Sequence, residues 1–297
     1  MISGNPSWTV GEIVVHRIDE TPLPPETGAW LLPEATRKVV AREDWLHPDF
    51  ASADGTLRID SHSFAFAVGG KRVVVDTGIG NGKTRANPAW HELRTDYLER
   101  LTAAGFPPES VDLVVLTHLH ADHVGWNTTR RNGAWMPTFP NARYITTRAE
   151  HHFWSGFSMD EARAQMFRDS VQPVESAGLL DLVDAPVDAA PGVRLLPTPG
   201  HTPGHLTVEL RSDGHTALIT GDCAHHPVQL AHPGIASCAD VDPAQATATR
   251  RSLFGALAGT ATLVLGTHFA PPTAGRVVPH GDEYRMVPVP PTSTTTL

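Results

Sequence analysis

Two cysteines, Cys223 and Cys238, are all that 297 residues contain, and two are too few for a disulfide framework. No stretch of about eighteen apolar residues occurs, so no membrane-spanning helix is expected. Residues 1–15 lack the basic segment followed by a long apolar run that marks a secretory leader, and a cytoplasmic protein without membrane attachment is the default expectation. Basic residues are in deficit, 23 Lys and Arg against 32 Asp and Glu, for a formal net charge of -9. A nucleic-acid partner wants a basic face and is disfavoured. A strongly anionic substrate would also be repelled at long range, although bound metal reverses that sign locally. The remainder is ordinary globular material, 40% hydrophobic and 19% charged, enough to bury the core of one large domain or two small ones.

Strand-like and helix-like segments alternate along the chain. Glu12–Ile18 reads as a first strand, and residues 20–61, rich in Pro, Gly, Trp and charge, read as a long excursion with short helices. Such excursions often cover a site. Strand character returns at His62–Val68, Gly69-Gly70 signals a hairpin, and Lys71–Val75 leads into Asp76. Leu93, Tyr97 and Leu101 lie on one face of a helix predicted from about Trp90 to Ala104, ended by Gly105 and Pro107-Pro108. Arg143–Thr147 predicts another strand, with helical material to about Ser170. Further strands are predicted at Val193–Leu196, Leu206–Leu210, Ala217–Thr220 and Thr262–Leu265. Asp242 is placed to cap a helix that has Pro243 at its first position, Gln245 three residues on, and an end near Ala258. The tail from Val287 reads as mobile.

The densest chemistry lies in Thr117-His118-Leu119-His120-Ala121-Asp122-His123-Val124-Gly125, directly after the apolar run Val111–Leu116. A buried strand presents side chains rigidly at its end. Three imidazoles and a carboxylate within six residues are the donors a borderline metal such as zinc prefers. Asp76, His118, His201, Asp222 and His268 each follow a strand, so strand ends along one sheet edge can bring them to one point.

These segments, in this order, resemble the metallo-β-lactamase superfamily. Thr117–Gly125 is similar to its His-x-His-x-Asp-His signature. Asp76 lies in Val-Asp-Thr-Gly, His201 in Pro-Gly-His-Thr-Pro-Gly-His, Asp222 in Thr-Gly-Asp and His268 in Gly-Thr-His. The resemblance spans roughly residues 10–280 and implies an α/β fold, an αββα sandwich in a single domain over residues 1–286. It implies that His118, His120 and His201 bind a first metal ion, that Asp122, His123 and His268 bind a second, and that Asp222 bridges. Two divalent ions about 3.5–4 Å apart share a carboxylate and a hydroxide, and a metal-bound hydroxide serves as nucleophile. Zinc is the superfamily default, and such ligands also accept manganese, iron or cobalt. Asp122 is the family's usual proton shuttle to the leaving group, and Asp76 is expected to support the His118 loop by hydrogen bonds.

Other residues have two readings. His205 is expected to support the site rather than ligate. One of His225 and His226 faces the pocket or neither does. His151-His152 belongs to a helix surface. Cys223 would be a ligand only in place of a carboxylate that Asp222 already supplies. Trp45, Phe50, Trp126, Phe153 and Trp154 are candidates for an apolar pocket or for ordinary packing.

Within the superfamily the chain resembles compact hydrolases, namely acyl homoserine lactone lactonases, methyl parathion hydrolase-like organophosphate hydrolases and aryl dehalogenases similar to chlorothalonil dehalogenase, and Gly125–Asn127, Asp222–Gln229 and His268–Gly275 look closer to the latter two. It shows neither the added helical domain of glyoxalase II nor the flavodoxin domain and ligand glutamate of flavo-diiron proteins. One departure weakens the lactonase reading: the lactonases carry a tyrosine three residues after the bridging aspartate, where this chain has His225, although an imidazole N–H can play the same part. The expectation is a dinuclear metal-dependent hydrolase of a small, mostly apolar ester, lactone, organophosphate or activated aryl substrate. The alternative is a mononuclear iron sulfur dioxygenase using only His118, His201 and Asp222. The excursion at 20–61 either covers the pocket or meets a partner subunit in a homodimer.

Overall fold

Leu113-Val114-Val115 divides its side chains between two cores. In a computed structural model that describes residues 5–156 and 160–292, Leu113 and Val115 enter one hydrophobic cluster and Val114 another, following the period-two geometry of a strand. Val73 and Val75 join the first cluster while Val74 joins the second, and Leu263 and Leu265 join the first while Val264 joins a third. Strands apolar at every position are therefore covered on both faces. The result is two sheets packed on each other with helical layers outside.

The chain begins with β1 (Ser7–Val10), β2 (Ile13–Pro22), β3 (Asp60–Val68), β4 (Lys71–Val75) and β5 (Leu113–Val115). A separate hairpin of β6 (Thr128–Arg131) and β7 (Ala134–Pro137) follows, then β8 (Arg143–Thr147) and β9 (Leu180–Val183). The first sheet has the order β1-β2-β3-β4-β5-β8-β9, parallel from β4 onward. The second takes β10 (Val187–Ala190), β11 (Val193–Pro197), β12 (Leu206–Ser212), β13 (His215–Ile219), β14 (Leu263–Leu265), β15 (Ala274–His280) and β16 (Glu283–Pro288) in chain order. There β13 and β14 run parallel and the other neighbours antiparallel.

The excursion contains α1 (Pro25–Leu31) and α2 (Arg37–Val40); α3 (Tyr97–Ala103) and α4 (Arg148–Gly156) lie against the first sheet. Next come α5 (Glu161–Met166), α6 (Gln172–Ser176), α7 (Val228–Ala231) and α8 (Pro243–Leu257). Leu32, Leu46 and Phe50 of the excursion join Phe254 of α8 in burying the outer face of the second sheet at Val264, Val277 and Met286. The fold is the expected αββα sandwich. No helix among the described residues is long and apolar enough to cross a membrane.

Two local expectations need correction. The helix predicted from Trp90 begins only at Tyr97, because residues 81–96 close on themselves. The Asn81 side chain accepts from Thr95 N–H and donates to Thr95 O, Gly82 N–H donates to Leu93 O, and Glu92 takes a left-handed backbone, φ 52°. Val287 is not the start of a free tail, since it pairs with Arg276, Pro288 pairs with Gly275, and Thr292 N–H donates to Ser7 O. Residues 293–297 lie outside the described residues. The helical stretch after β8 contains a single π-helical turn at Phe167–Val171, which periodicity did not reveal. The cap on α8 forms as read, with Asp242 accepting from Gln245 N–H at 2.9 Å.

Strands β4, β5, β13 and β14 end along one edge, and so does β11, which is antiparallel to β12 as β12 is to β13. Loops beyond the carboxyl ends of strands are where α/β sheets bind ligands.

Candidate metal centre

Asp76, the residue after β4, sits in the left-handed region at φ 56°. Its carboxylate accepts from Thr117 N–H and Thr117 Oγ1–H, both at 2.8 Å, and His123 Nδ1 lies 2.9 Å away. Thr117 has thereby spent its proton, so it accepts from His118 Nδ1–H at 3.0 Å. The same logic repeats around the site. His201 Nδ1 donates to Asp240 Oδ1 at 3.0 Å and His268 Nδ1 to the Asp60 carbonyl at 2.9 Å. Each of His118, His123, His201 and His268 therefore engages its Nδ1 elsewhere and turns Nε2 toward one point, the usual way a partner orients a histidine for ligation through its other nitrogen.

The donors form two groups. His118, His120, His201 and Asp222 make one, and Asp122, His123 and His268 the other. In the first, His120 Nδ1 stands 3.0 Å from His118 Nε2 and 2.9 Å from His201 Nε2. In the second, His123 Nε2 and His268 Nε2 are 3.2 Å apart, with Asp122 oxygens 3.8 and 3.6 Å from them. Asp222 lies between the groups: Oδ2 is 3.4 Å from His201 Nε2 and 3.3 Å from His123 Nε2, and Oδ1 is 3.2 Å from His268 Nε2.

These residues fit metal ions. Lone pairs facing one another at such distances repel unless a cation lies among them, and tetrahedral donors at 2.0–2.1 Å from an ion stand about 3.3 Å apart. Buried Asp222 Oδ1 has no hydrogen-bond partner, because its neighbouring imidazole is close but not aligned to donate. Burial holds His118 well below the ordinary histidine value, His120 at about 3 and His201 at about 4, which keeps them neutral donors. Burial also pulls on His268 and His123, but carboxylates outweigh it. Asp222 and Asp122 bring His268 up to about 9, and with Asp76 they lift His123 well above its usual range. The carboxylates of Asp222, Asp122 and Asp76 thus demand positive charge at the second group, from protons or from metal.

The histidines weighed in the sequence separate clearly. His205 accepts from Asp222 N–H at 2.8 Å and supports the site from behind. Gly221 makes this possible: its φ is +51°, and a Cβ there would meet His205 Nε2 at 2.6 Å. His225 is buried, lines the cavity and puts Nε2 3.2 Å from Asp222 Oδ2, yet neither ring nitrogen has a hydrogen-bond partner. His226 points away, with Nε2 donating to the Phe50 carbonyl at 2.7 Å. His151 lies 3.4 Å from Glu175, and Cys223 is buried outside both donor groups.

Two supporting carboxylates were missed. Asp240 holds His201 and is itself 3.4 Å from the fully buried Arg250 guanidinium; it follows no strand, and nothing local marks it. Glu150 accepts from Leu119 N–H at 3.0 Å, Gly204 N–H at 3.1 Å and Trp154 Nε1–H at 2.6 Å. It therefore ties the His118–His120 loop to the loop after His201. Glu150 lies just beyond β8, so the strand-end rule that found the ligands would have found it.

Above the centre opens a cavity of about 800 Å³. His120, Asp122, Asp222, His225 and His268 form its floor, and its walls are mostly apolar, with Leu23 and Trp30 from the excursion, Pro88 and Trp90 from the 81–96 loop, and Trp154 and Met166. Of the five aromatic residues singled out in the sequence, Trp154 alone lines this cavity, its ring 5.3 Å from that of His120. Trp126 stacks on Tyr97, Trp45 donates to Glu43, Phe50 belongs to the outer core, and Phe153 packs beside Trp154.

Comparison with known proteins agrees with this architecture. Residues 58–268, more than half the chain, match the family model of the metallo-β-lactamase superfamily. An N-acyl homoserine lactonase of Bacillus cereus is 31% identical over 127 residues, 42% of this chain and 43% of that protein. N-acyl homoserine lactonase AttM of Rhizobium radiobacter is 30% identical over 155 residues, 48% of this chain and 54% of that protein. The chain thus spans about half the length of the curated relatives it matches. Among solved structures, AidC, a dizinc quorum-quenching lactonase in complex with a product, superposes with TM-score 0.78 at 21% identity over 97% of this chain and 98% of that one. The hydrolase AbOPH gives TM-score 0.78 at 22% identity over the same shares. Ordered ligand segments, an αββα sandwich, donors gathered at one sheet edge and a family match over most of the chain lead to one assignment: this protein belongs to the metallo-β-lactamase superfamily.

Proposed function

We propose that the protein is a metal-dependent hydrolase that opens lactones bearing an apolar chain, with two divalent ions, zinc by default, at its centre. The observation that carries this reading is the position of Asp222: it belongs to one donor group, and its oxygens stand 3.3 Å from His123 Nε2 and 3.2 Å from His268 Nε2 of the other, on the floor of an apolar cavity. Two ions held there would supply Lewis acidity and water made nucleophilic near neutral pH. The chain's own residues supply the rest. The walls take the apolar chain and leave the polar ring at the floor. His225, with no protein acceptor for its N–H, is available to donate to the substrate's carbonyl oxygen as negative charge develops there. Asp122 lies in both the donor set and the cavity lining, placed to pass a proton to the departing alkoxide. The relatives named as lactonases favour lactones over the phosphotriesters and aryl halides that the same centre could serve.

A mononuclear iron centre would leave Asp122, His123 and His268 without a purpose. The test is a hydrolysis panel of lactones, aryl esters, phosphotriesters and chlorinated nitriles on metal-quantified enzyme. Lactones should lead, at two metal ions per chain. His225→Phe should lower kcat about ten- to a hundredfold with metal content unchanged. One iron per chain with oxygen uptake on a persulfide, or preference for a phosphotriester, would overturn the reading.

A further inference from the structure

In and behind the cavity walls lies an ionic cluster that the chemistry at the floor does not use, and one member, Arg85, itself lines the cavity. Lys83, Arg85 and Asp169 are all buried. Arg85 grips Asp169 with both terminal nitrogens, Nη1 to Oδ2 at 2.8 Å and Nη2 to Oδ1 at 2.9 Å, and Nη2 also reaches Ser170 Oγ at 3.2 Å. Lys83 Nζ donates to Thr128 Oγ1 at 2.8 Å and to the Asp169 carbonyl at 3.2 Å, and lies 3.7 Å from the centre of the Trp135 ring.

This placement connects two walls. Arg85 opens the tip of the 81–96 loop, whose Pro88 and Trp90 line the cavity, while the neck of that loop is closed by Asn81 and Thr95. Asp169 sits in the π-helical turn directly after α5, whose Met166 lines the cavity from the other side. Single π turns recur at functional sites because they re-aim side chains out of helical register.

Stability alone is a poor reason for such a cluster. Two cations against one carboxylate leave a buried surplus of positive charge, and burial brings Lys83 down to about 8. Apolar residues of similar volume are often as stabilising as a buried ion pair. A bidentate arginine–carboxylate pair supplies direction, fixing both distance and angle where apolar packing would let the loop slide.

We propose that Asp169 is a positioning residue for substrate selection: through Arg85 and Lys83 it clamps the 81–96 loop against the α5 wall and sets the space open to the substrate's apolar chain. This rests on the cavity being the substrate site. The test compares wild type with Asp169→Asn on straight-chain γ-lactones from γ-butyrolactone to γ-dodecalactone, with hydrogen exchange followed over residues 83–92. In the variant, KM for γ-dodecalactone should rise about tenfold with kcat and metal content unchanged. γ-Butyrolactone turnover should stay near wild type, and exchange over 83–92 should accelerate. Unchanged chain-length dependence with unchanged exchange overturns the proposal. If wild type opens no lactone, the lactonase reading fails. The clamp is then judged by binding of 11-(dansylamino)undecanoic acid, expected about tenfold weaker in the variant, with equal affinity counting against it. Should Asp169→Asn fail to fold, Arg85→Lys, which keeps the charge and loses the bidentate geometry, should give the same pattern at about threefold.

Discussion

The floor of the cavity and its walls are built on opposite principles. The candidate donors at and beneath the floor lie on loops that follow strands and are buried or nearly so, and four of their five histidines are fixed by a hydrogen bond at the ring nitrogen facing away from the site. The walls come mostly from the excursion and the 81–96 loop, joined by Trp154 of α4 and Met166 of α5, and the loops are held at a few points by side chains from elsewhere. Rigid strand ends suit a centre whose donors tolerate errors of only a few tenths of an ångström. Loops suit a surface that must match one substrate and can change without disturbing the chemistry. Substitutions in the floor should therefore act on metal and rate together, and substitutions in the excursion and the 81–96 loop on affinity alone.

The largest effect should come from Asp222→Ala. Asp222 belongs to one donor group and lies within 3.3 Å of both histidines of the other, and its charge, with that of Asp122, sustains the raised His268 and His123. Removal should leave less than one tightly bound metal ion per chain and reduce hydrolysis by about a thousandfold, roughly 4 kcal/mol of barrier. Metal analysis beside a rate measurement checks it, and full metal content with near-normal rate would erase the distinction between floor and wall.

That distinction also explains what was legible in the sequence. The floor could be read because strand ends are local events: an apolar run stops, and a histidine or aspartate follows. His118, His201, Asp222 and His268 all announce themselves this way. Asp240 does not, since its relation to His201 exists only after the chain has travelled 39 residues and returned. The walls were poorly legible for the same reason. Leu93, Tyr97 and Leu101 keep helical spacing, yet Leu93 lies in a loop because Asn81 takes the backbone of Thr95. Tertiary hydrogen bonds overrode local periodicity there. Trp30 and Trp90 line the cavity without belonging to any pattern that would mark them.

A second effect tests where a wall is fastened to the floor. His226 donates through Nε2 to the Phe50 carbonyl of the excursion, while its Nδ1 accepts from Val228 N–H. Burial brings it down to about 4. Between about 6.5 and 4 the unfolded chain then binds a proton that the folded chain refuses, so stability is lost as pH falls through this window. The loss attached to this residue is on the order of 3 kcal/mol by pH 4. Denaturant titrations at pH 7 and pH 4 should show wild type losing that much more than His226→Gln, and equal losses would remove His226 from the acid response.

Smaller again are the carboxylates behind the ligands. Asp240→Asn keeps an oxygen for His201 but loses the charge that Arg250 faces. Glu150→Gln must turn an amide N–H₂ toward groups that are themselves donors. Each should weaken metal affinity about ten- to a hundredfold, read by competition with a chelator, with the αββα fold intact by circular dichroism. Unaltered affinity in both would mean that strand ends alone hold the floor.

The smallest effect should come from the outermost wall. Trp30 lines the cavity while 60% of its surface stays in water, so the part it can lend to a substrate is limited. At about 25 cal/mol per Å² of apolar surface newly covered, some tens of Å² gained on substrate binding amount to about 1 kcal/mol or less. Trp30→Ala should therefore raise KM for a long-chain lactone about threefold, leave kcat and metal content alone, and shift stability by no more than about 0.5 kcal/mol, as exposed substitutions do. Trp154 offers the control. It lines the same cavity but is buried against the His120 ring and donates to Glu150, so Trp154→Ala should lower metal affinity as well. If Trp30→Ala behaved like Trp154→Ala, the walls would be part of the catalytic frame and the division drawn between them and the floor would not hold.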